Sequence, residues 1–438
     1  MTSSSKRSEN YAKQIKGATV YKVLAVVASF LTLPVMIKYL GVEMFGIWAT
    51  MLSLITWIML FDLGIGTGLK NRVLECLAQE KLQEAGCYIS TAYGLIGLIS
   101  ILLFIIVLSA SYYIPWTAIF NTDSVNEIYL RNSVILLSFF IFSNFFLSLV
   151  NQVFHAQQRS SVVVFGQLVA NVLALCTIAL LNKYTDSSLF LIILCYGMAL
   201  IMANLALTLF LYKKNRPLFP HRSNIDSKLI YPLLSLSVNF FVIQLAGLVI
   251  FMSDKMLITQ LIGPSDVTFY EVSFKLFSVI VIAQSLLLAP LWPAYAYAYH
   301  RGDINWIKAK MRAQKLMFIM LCIAAVLLAL VGPFVVRVWI GEEITVPKEL
   351  YYYFAILTMI SSWSTIYACF VNSINALSLQ LKTSLIAASV NIPLSYYFVK
   401  TFGMGLNGIV LATIISVSIF AIAGPIQVHR IINGHSND

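Results

Sequence analysis

Four residues of opposite charge occupy two consecutive stretches that are long and apolar enough to cross a membrane. Asp254 and Lys255 lie in 231–262, and Glu271 and Lys275 in 266–288. Gly263-Pro264-Ser265 between them is a turn signal, which predicts an antiparallel helical hairpin. Asp254 and Lys255 fall ten and nine residues before Pro264; Glu271 and Lys275 fall seven and eleven after it. At 1.5 Å per residue, all four sit roughly 10–16 Å in from the turn, against a hydrocarbon core about 30 Å thick. Glu271 and Lys275, spaced i,i+4, share a helix face. Charges at that depth face a bundle interior or a watery cavity and take partners there. Two chemistries fit. One is a set of ion pairs that locks the hairpin; the other is a cavity lining that meets an anionic cargo or a coupling ion. Structural pairs tolerate joint replacement by apolar residues, whereas cargo-binding charges do not.

The elements that position these residues follow from composition. The chain has 438 residues, 60% of them hydrophobic and 11% charged, with a mean hydropathy of +0.86. So little charged surface excludes a soluble domain and predicts an all-α polytopic membrane protein. The net charge of +11 reflects membrane topology and not nucleic-acid binding. Six cysteines lie in or beside apolar segments without a CxxC pair, and read as packing residues. The N-terminal segment lacks a small-residue cleavage site after its first apolar run, so it reads as an uncleaved cytoplasmic start.

Apolar runs at 18–39, 45–66, 88–110, 130–153, 162–182, 188–211, 233–262, 266–289, 314–336, 351–373, 383–402 and 405–427 predict about twelve spanning helices. Of the 29 Lys and Arg residues, 21 fall on one side of that arrangement and 7 on the other, with Lys275 inside a helix. The richer side is cytoplasmic, so both termini are expected there. The connection richest in Pro and charge, YKKNRPLFPHRSNIDSK, falls at the midpoint. It predicts a six-helix bundle over 1–211, a cytoplasmic linker over 212–230 and a second six-helix bundle over 231–438. Pro34, Pro290, Pro293, Pro333 and Pro393 mark expected kinks in or near helix ends.

The halves show traces of a parallel tandem repeat. Leu40-Gly41 and Gly46-Ile47-Trp48 align with Ile262-Gly263 and Thr268-Phe269-Tyr270 at an offset of 222; Ala156 and Asn171 align with Ala376 and Asn391 at 220. Such repeats place a transporter's binding site at the interface of its halves. Lys22 and Asp62, at similar depth in the first hairpin, map forward onto Gln244 and Gln284. The four deep charges map back onto Thr32, Leu33, Ala49 and Ser53, so the charge is confined to the second half. That asymmetry favours a functional role over scaffold. Lys22 and Asp62 read as a rim pair near the cytoplasmic ends of their helices. Gly64, Gly66 and Gly68 after Asp62 are either a hinge or a close packing site. Enzyme signals are missing: the outward connections are short, no metal-ligand spacing links the five histidines, and neither a GxSxG nor a phosphate-binding loop occurs.

Tyr39-Leu40-Gly41, Phe45-Gly46-Ile47-Trp48 and Phe61-Asp62-Leu63-Gly64-Ile65-Gly66, followed by Asp254, Leu261-Ile262-Gly263 and Tyr270, resemble the Wzx-type O-antigen and polysaccharide flippases. These belong to the superfamily that also holds the multidrug and toxin exporters. The resemblance implies two six-helix bundles in a V around a central cavity. It implies a non-enzymatic flippase of the bacterial inner membrane that moves an undecaprenyl-diphosphate-linked glycan outward by alternating access. It needs no cofactor beyond H+ or Na+ as coupling ion. Its implied partners are that glycan, membrane lipid, and a polysaccharide polymerase with its chain-length regulator. Lys255, Lys275, Asp254, Glu271, Gln244 and Gln284 would then contact cargo or ion, and Lys22, Asp62 and the three glycines would form a cytoplasmic gate or hinge. Two alternatives stay open: a cation-coupled drug or metabolite exporter of the same superfamily, and an integral polysaccharide polymerase.

Overall fold

The computed structural model describes residues 3–58, 64–234, 238–342 and 344–434, with side chains described from Gly17 onward except 58, 238–244, 248, 249 and 434. Among these residues every regular element is helical. The order is α1 (Ser3–Leu40), α2 (Val42–Ile58), α3 (Ile65–Ala78), α4 (Leu82–Ala110), α5 (Trp116–Phe120), α6 (Glu127–Leu147), α7 (Leu149–Ala156), α8 (Ser160–Tyr184) and α9 (Leu189–Lys214). After three short 3-10 turns come α10 (Ile230–Leu234), α11 (Val238–Leu261), α12 (Pro264–Leu288), α13 (Leu291–His300), α14 (Ile304–Ile340), α15 (Lys348–Ser373), α16 (Ser378–Lys400) and α17 (Gly405–Gly434).

Nine described spans are long and apolar enough to cross a membrane. With α2, α11 and α16 they make twelve long helices in a multi-pass membrane protein. Their order repeats. In each half a long helix and its hairpin partner are followed by a short helix, α3 or α13, and then by four further long helices with short connections. The expected span 130–153 falls within one apolar span, Glu127–Ala156, whose helix is interrupted at Ser148 between α6 and α7. An asparagine ladder crosses that break, because Asn204 Nδ2 donates to Asn144 Oδ1 (2.7 Å) while Asn151 Nδ2 donates to Asn204 Oδ1 (3.1 Å). The prolines act differently from one another. Pro290 separates α12 from α13, Pro293 enters the first turn of α13, and Pro34, Pro333 and Pro393 lie inside continuous helices.

The chain divides into two compact units, Met1–Phe241 and Val242–Asp438. In the first, α1 packs on α8, α9 packs on α6 and α8, and α4 packs on α3 and α6. In the second, α17 packs on α15 and α16, and α15 also packs on α12, α13 and α14. Among lipid tails apolar burial is only a weak driving force, so close fit and interhelical hydrogen bonds must hold such bundles. The asparagine ladder is one such tie; Asn171 Nδ2 of α8, donating to the Ala25 carbonyl of α1 at 2.9 Å, is another.

The 212–230 stretch, expected to be a linker, folds onto the first unit. Leu218 is buried with Tyr212 in the core formed by α3, α4 and α7. His221 N–H donates to Ser90 Oγ (3.1 Å) and Asp226 N–H to Thr91 Oγ1 (3.1 Å), which fastens the segment along α4. Its basic residues dominate the sequence pattern, but its apolar residues decide where it lies.

Candidate functional site

The charged residues of the second unit separate into two layers. Asp254 on α11 is fully buried. Tyr270 on α12 donates its phenol to Asp254 Oδ2 at 2.8 Å. Thr413 on α17 lies 3.2 Å from Oδ1 and 3.0 Å from Oδ2 of the same carboxylate, which accepts its hydroxyl proton. Thr413 Oγ1 in turn accepts from Asn391 Nδ2 on α16 at 3.1 Å. Asn391 Oδ1 is buried without a hydrogen bond among the described residues. Four helices thus converge on one carboxylate through a directed chain, Asn391 to Thr413 to Asp254, with Tyr270 closing it from the other side. Counted along each helix from its nearer end, at Ile262, Pro264, Lys400 or Gly405, all four residues lie roughly 9–14 Å in. The network is at one depth.

It is also dry. Tyr270 is 1% exposed, its ring meets Phe354 edge-on at 5.2 Å and stacks on Phe274 at 6.2 Å, and Thr413 and Asn391 are fully buried. The sequence left two readings for Asp254, an ion pair or a cavity lining; here its carboxylate is fully buried and accepts hydrogen bonds from Tyr270 of α12 and Thr413 of α17. An ionised carboxylate in such surroundings needs compensation, since burying an unpaired charge costs several kcal/mol. Hydroxyl donors supply part of it.

The next residue, Lys255, points elsewhere and forms an ion pair with Glu271 of α12, both side chains about one-seventh exposed (15% and 14%). This joins the two helices of the hairpin and matches one acid with one base across them. Lys275 is partly buried one turn beyond Glu271 on the same helix face. Three of the four charged groups are therefore neither fully exposed nor sealed. In the first unit, the position equivalent to Asp254 is Thr32, whose hydroxyl donates to the Ala28 carbonyl of its own helix at 2.8 Å. Asn171, the counterpart of Asn391, correspondingly spends its amide on the backbone of α1.

The remaining expected site residues scatter. Gln284 is buried and its Nε2 donates to the Ser362 carbonyl of α15 at 2.8 Å, a tie between helices. The side chain of Gln244 and all of Asp62 lie outside the described residues. Lys22 donates to Gln167 Oε1 of α8 at 3.2 Å. Gly64 has φ 80°, in the left-handed region that favours glycine, and starts α3. Gly66 is buried within α3. A Cβ on Gly68 would meet the Leu233 carbonyl oxygen at 1.9 Å, so this glycine serves a close approach of α3 and α10. Sequence reasoning missed Thr413 as a site residue, and it noted Asn391 only as a repeat partner. An amide in the middle of an apolar helix was a usable signal; one threonine among many was not.

Helices of membrane length in a repeated order, with charges held inside one unit, define a polytopic membrane protein built on a transporter fold. Solved structures agree on the fold. A structure described as an "inward-facing conformation of a multidrug resistance MATE family transporter of the MOP superfamily" superimposes with a TM-score of 0.77 over 96% of this chain and 99% of that one, at 13% identity. The sequence goes further. Residues 14–296 match the family described as "Polysaccharide biosynthesis protein", and the chain belongs to it. It is 25% identical over 416 residues to a Salmonella typhimurium protein named "Putative O-antigen transporter", covering 90% of each chain. It is 22% identical over 363 residues to a "Putative O-antigen export protein" of Yersinia pseudotuberculosis, covering 81% of this chain and 82% of the relative.

Proposed function

We propose that this protein is a polysaccharide-unit flippase. Its cargo is an O-antigen or related repeat unit carried on undecaprenyl diphosphate, moved across the bacterial inner membrane by alternating access, with both termini in the cytoplasm. The observation that carries this reading is a buried acid and an ion pair at membrane depth in the second unit of a chain belonging to the polysaccharide biosynthesis family. A diphosphate and acidic sugars cannot cross hydrocarbon bare, and a partly exposed lysine layer lowers that cost by pairing with them. Lys255 and Lys275 have this role. Glu271 holds Lys255 while cargo is absent, which prevents the lysine from acting as a permanent anion trap.

Asp254 has a separate role as the seat of the coupling ion. Its carboxylate, the hydroxyls of Tyr270 and Thr413 and the side-chain amide of Asn391 form an oxygen-rich cluster whose charge a proton or Na+ would neutralise. The fold is shared with multidrug transporters, and Asp254 would serve a small cationic cargo as well. The lysines argue against that second reading. Drug susceptibility of a deletion strain separates the two.

The test neutralises Lys255 and Lys275 together (K255Q/K275Q) in a strain that depends on this gene for surface polysaccharide. Loss of surface glycan with normal amounts of protein in the membrane is expected. Wild-type surface glycan would overturn the assignment.

A further inference from the structure

Away from this site, the second unit carries a cleft of about 550 Å3 between the first turns of α14 and the last turns of α17, with Tyr367 of α15 in its wall. Its polar lining combines four cations, Lys308, Arg312 and Lys315 from α14 and Arg430 from α17, with His429 and Asn433 of α17. The three α14 residues, at i, i+4 and i+7, share one helix face. Among the described residues, no acidic side chain lines the cleft and none of the ion pairs involves these cations. So many like charges around one concavity repel one another unless an anion sits among them.

The helices beside the cleft say what kind of anion. At 37 residues, α14 is roughly 55 Å long, far more than the hydrocarbon thickness, so its basic first turns must project beyond the lipid tails. Immediately along the same helix the surface turns apolar and outward: Leu316 and Met320 are each 67% exposed, and Ile319 and Ile323 more than half exposed. On α17, Ile422 and Ile426 continue the apolar surface next to Arg430. The change from cationic cleft to greasy rail takes about one helical turn. It matches a molecule with phosphate at one end and acyl chains at the other. A soluble phosphate would use the cleft and leave the rail without a role.

We propose that this cleft binds the phosphate headgroup of an anionic phospholipid, whose acyl chains lie along the exposed apolar residues of α14 and α17. The site is distinct from the cargo and ion residues, and it ties the leaflet at the basic end of α14 to the helix that carries Thr413. Anionic lipid in that leaflet therefore stabilises the packing of α17.

The test uses the full chain in detergent, with phosphatidylglycerol added and bound lipid counted by native mass spectrometry. Replacing the four cations together (K308Q/R312Q/K315Q/R430Q) should weaken retention of phosphatidylglycerol by about 100-fold or more, given the attraction of each basic residue for anionic lipid. The control R301Q/K310Q removes two cations from the same end outside the cleft, and should retain phosphatidylglycerol like the wild type. Arg301 and Lys310 lie over the rings of Tyr297 and Trp306 (4.9 and 5.6 Å), so this control also reports on fold. Phosphatidylcholine and excess inorganic phosphate should not displace the bound lipid. Equal retention by the fourfold variant and the control would overturn the proposal, and displacement by inorganic phosphate would identify a soluble-anion site instead.

Discussion

Replacing Lys255 and Glu271 singly and together separates a hairpin lock from a working cargo contact. The two side chains form an ion pair across α11 and α12 and are about 15% and 14% exposed. Breaking a fully buried pair by removing one partner costs about 3–5 kcal/mol, because the other charge is left uncompensated. The residual exposure here lets water reach the survivor, which lowers the expected cost to about 2–4 kcal/mol for Lys255→Met or Glu271→Leu. Joint replacement removes both desolvation penalties, and K255M/E271L should be as stable as the wild type within about 1 kcal/mol. Detergent-solubilised membrane proteins unfold irreversibly, so the assay is the fraction that stays monodisperse after a heating series. The single variants should lose monodispersity at lower temperature, and the double variant should recover it. Surface glycan should not recover in the double variant, because Lys255 is gone. A double variant that regains both stability and glycan would reduce the pair to a structural lock and refute the cargo role.

Three further outcomes follow from the geometry. Asp254→Asn keeps an acceptor for Tyr270 and Thr413, so the protein should reach the membrane in normal amounts while export is lost; export at the wild-type rate would remove Asp254 from coupling. Thr413→Val leaves both Asp254 and Asn391 short of a partner, a cost of about 1–3 kcal/mol that should show as a lower heating midpoint, whereas Thr413→Ser should stay near wild type. Gly68→Ala drives a Cβ to 1.9 Å from the Leu233 carbonyl and should destabilise the first unit by about 1–3 kcal/mol, measured by the same heating series.

Much of the fold is legible in the sequence because membrane helices announce themselves by length and apolarity, and the long-helix order follows the apolar runs closely. Single residues that bend or fasten helices are less legible. The break at Ser148 carries no proline; the Ser148 hydroxyl, donating to the Phe145 carbonyl at 2.9 Å, and the neighbouring asparagines fasten it. The 212–230 segment looks solvated when its charges are counted, yet Leu218 and two backbone amides bind it to the first unit. For the site, depth counted from Gly263-Pro264 matched each acid with a base; the structure pairs Lys255 with Glu271, but ties Asp254 to Tyr270 and Thr413 and not to Lys275 at its own depth. Adjacent residues on a helix point about 100° apart, so Asp254 could not share that surface; its partner Thr413 on α17 lies 159 residues away in sequence. No local pattern reports such a meeting.

Transport of a lipid-linked glycan can be measured without a cell. The full chain, reconstituted into vesicles with a fluorescent undecaprenyl-diphosphate-linked saccharide, should expose the saccharide to an added lectin on the far leaflet when a proton or Na+ gradient is imposed. The Asp254→Asn and K255Q/K275Q variants should leave it at the level of protein-free vesicles. Equal translocation by wild type, both variants and empty vesicles would contradict the account at its centre.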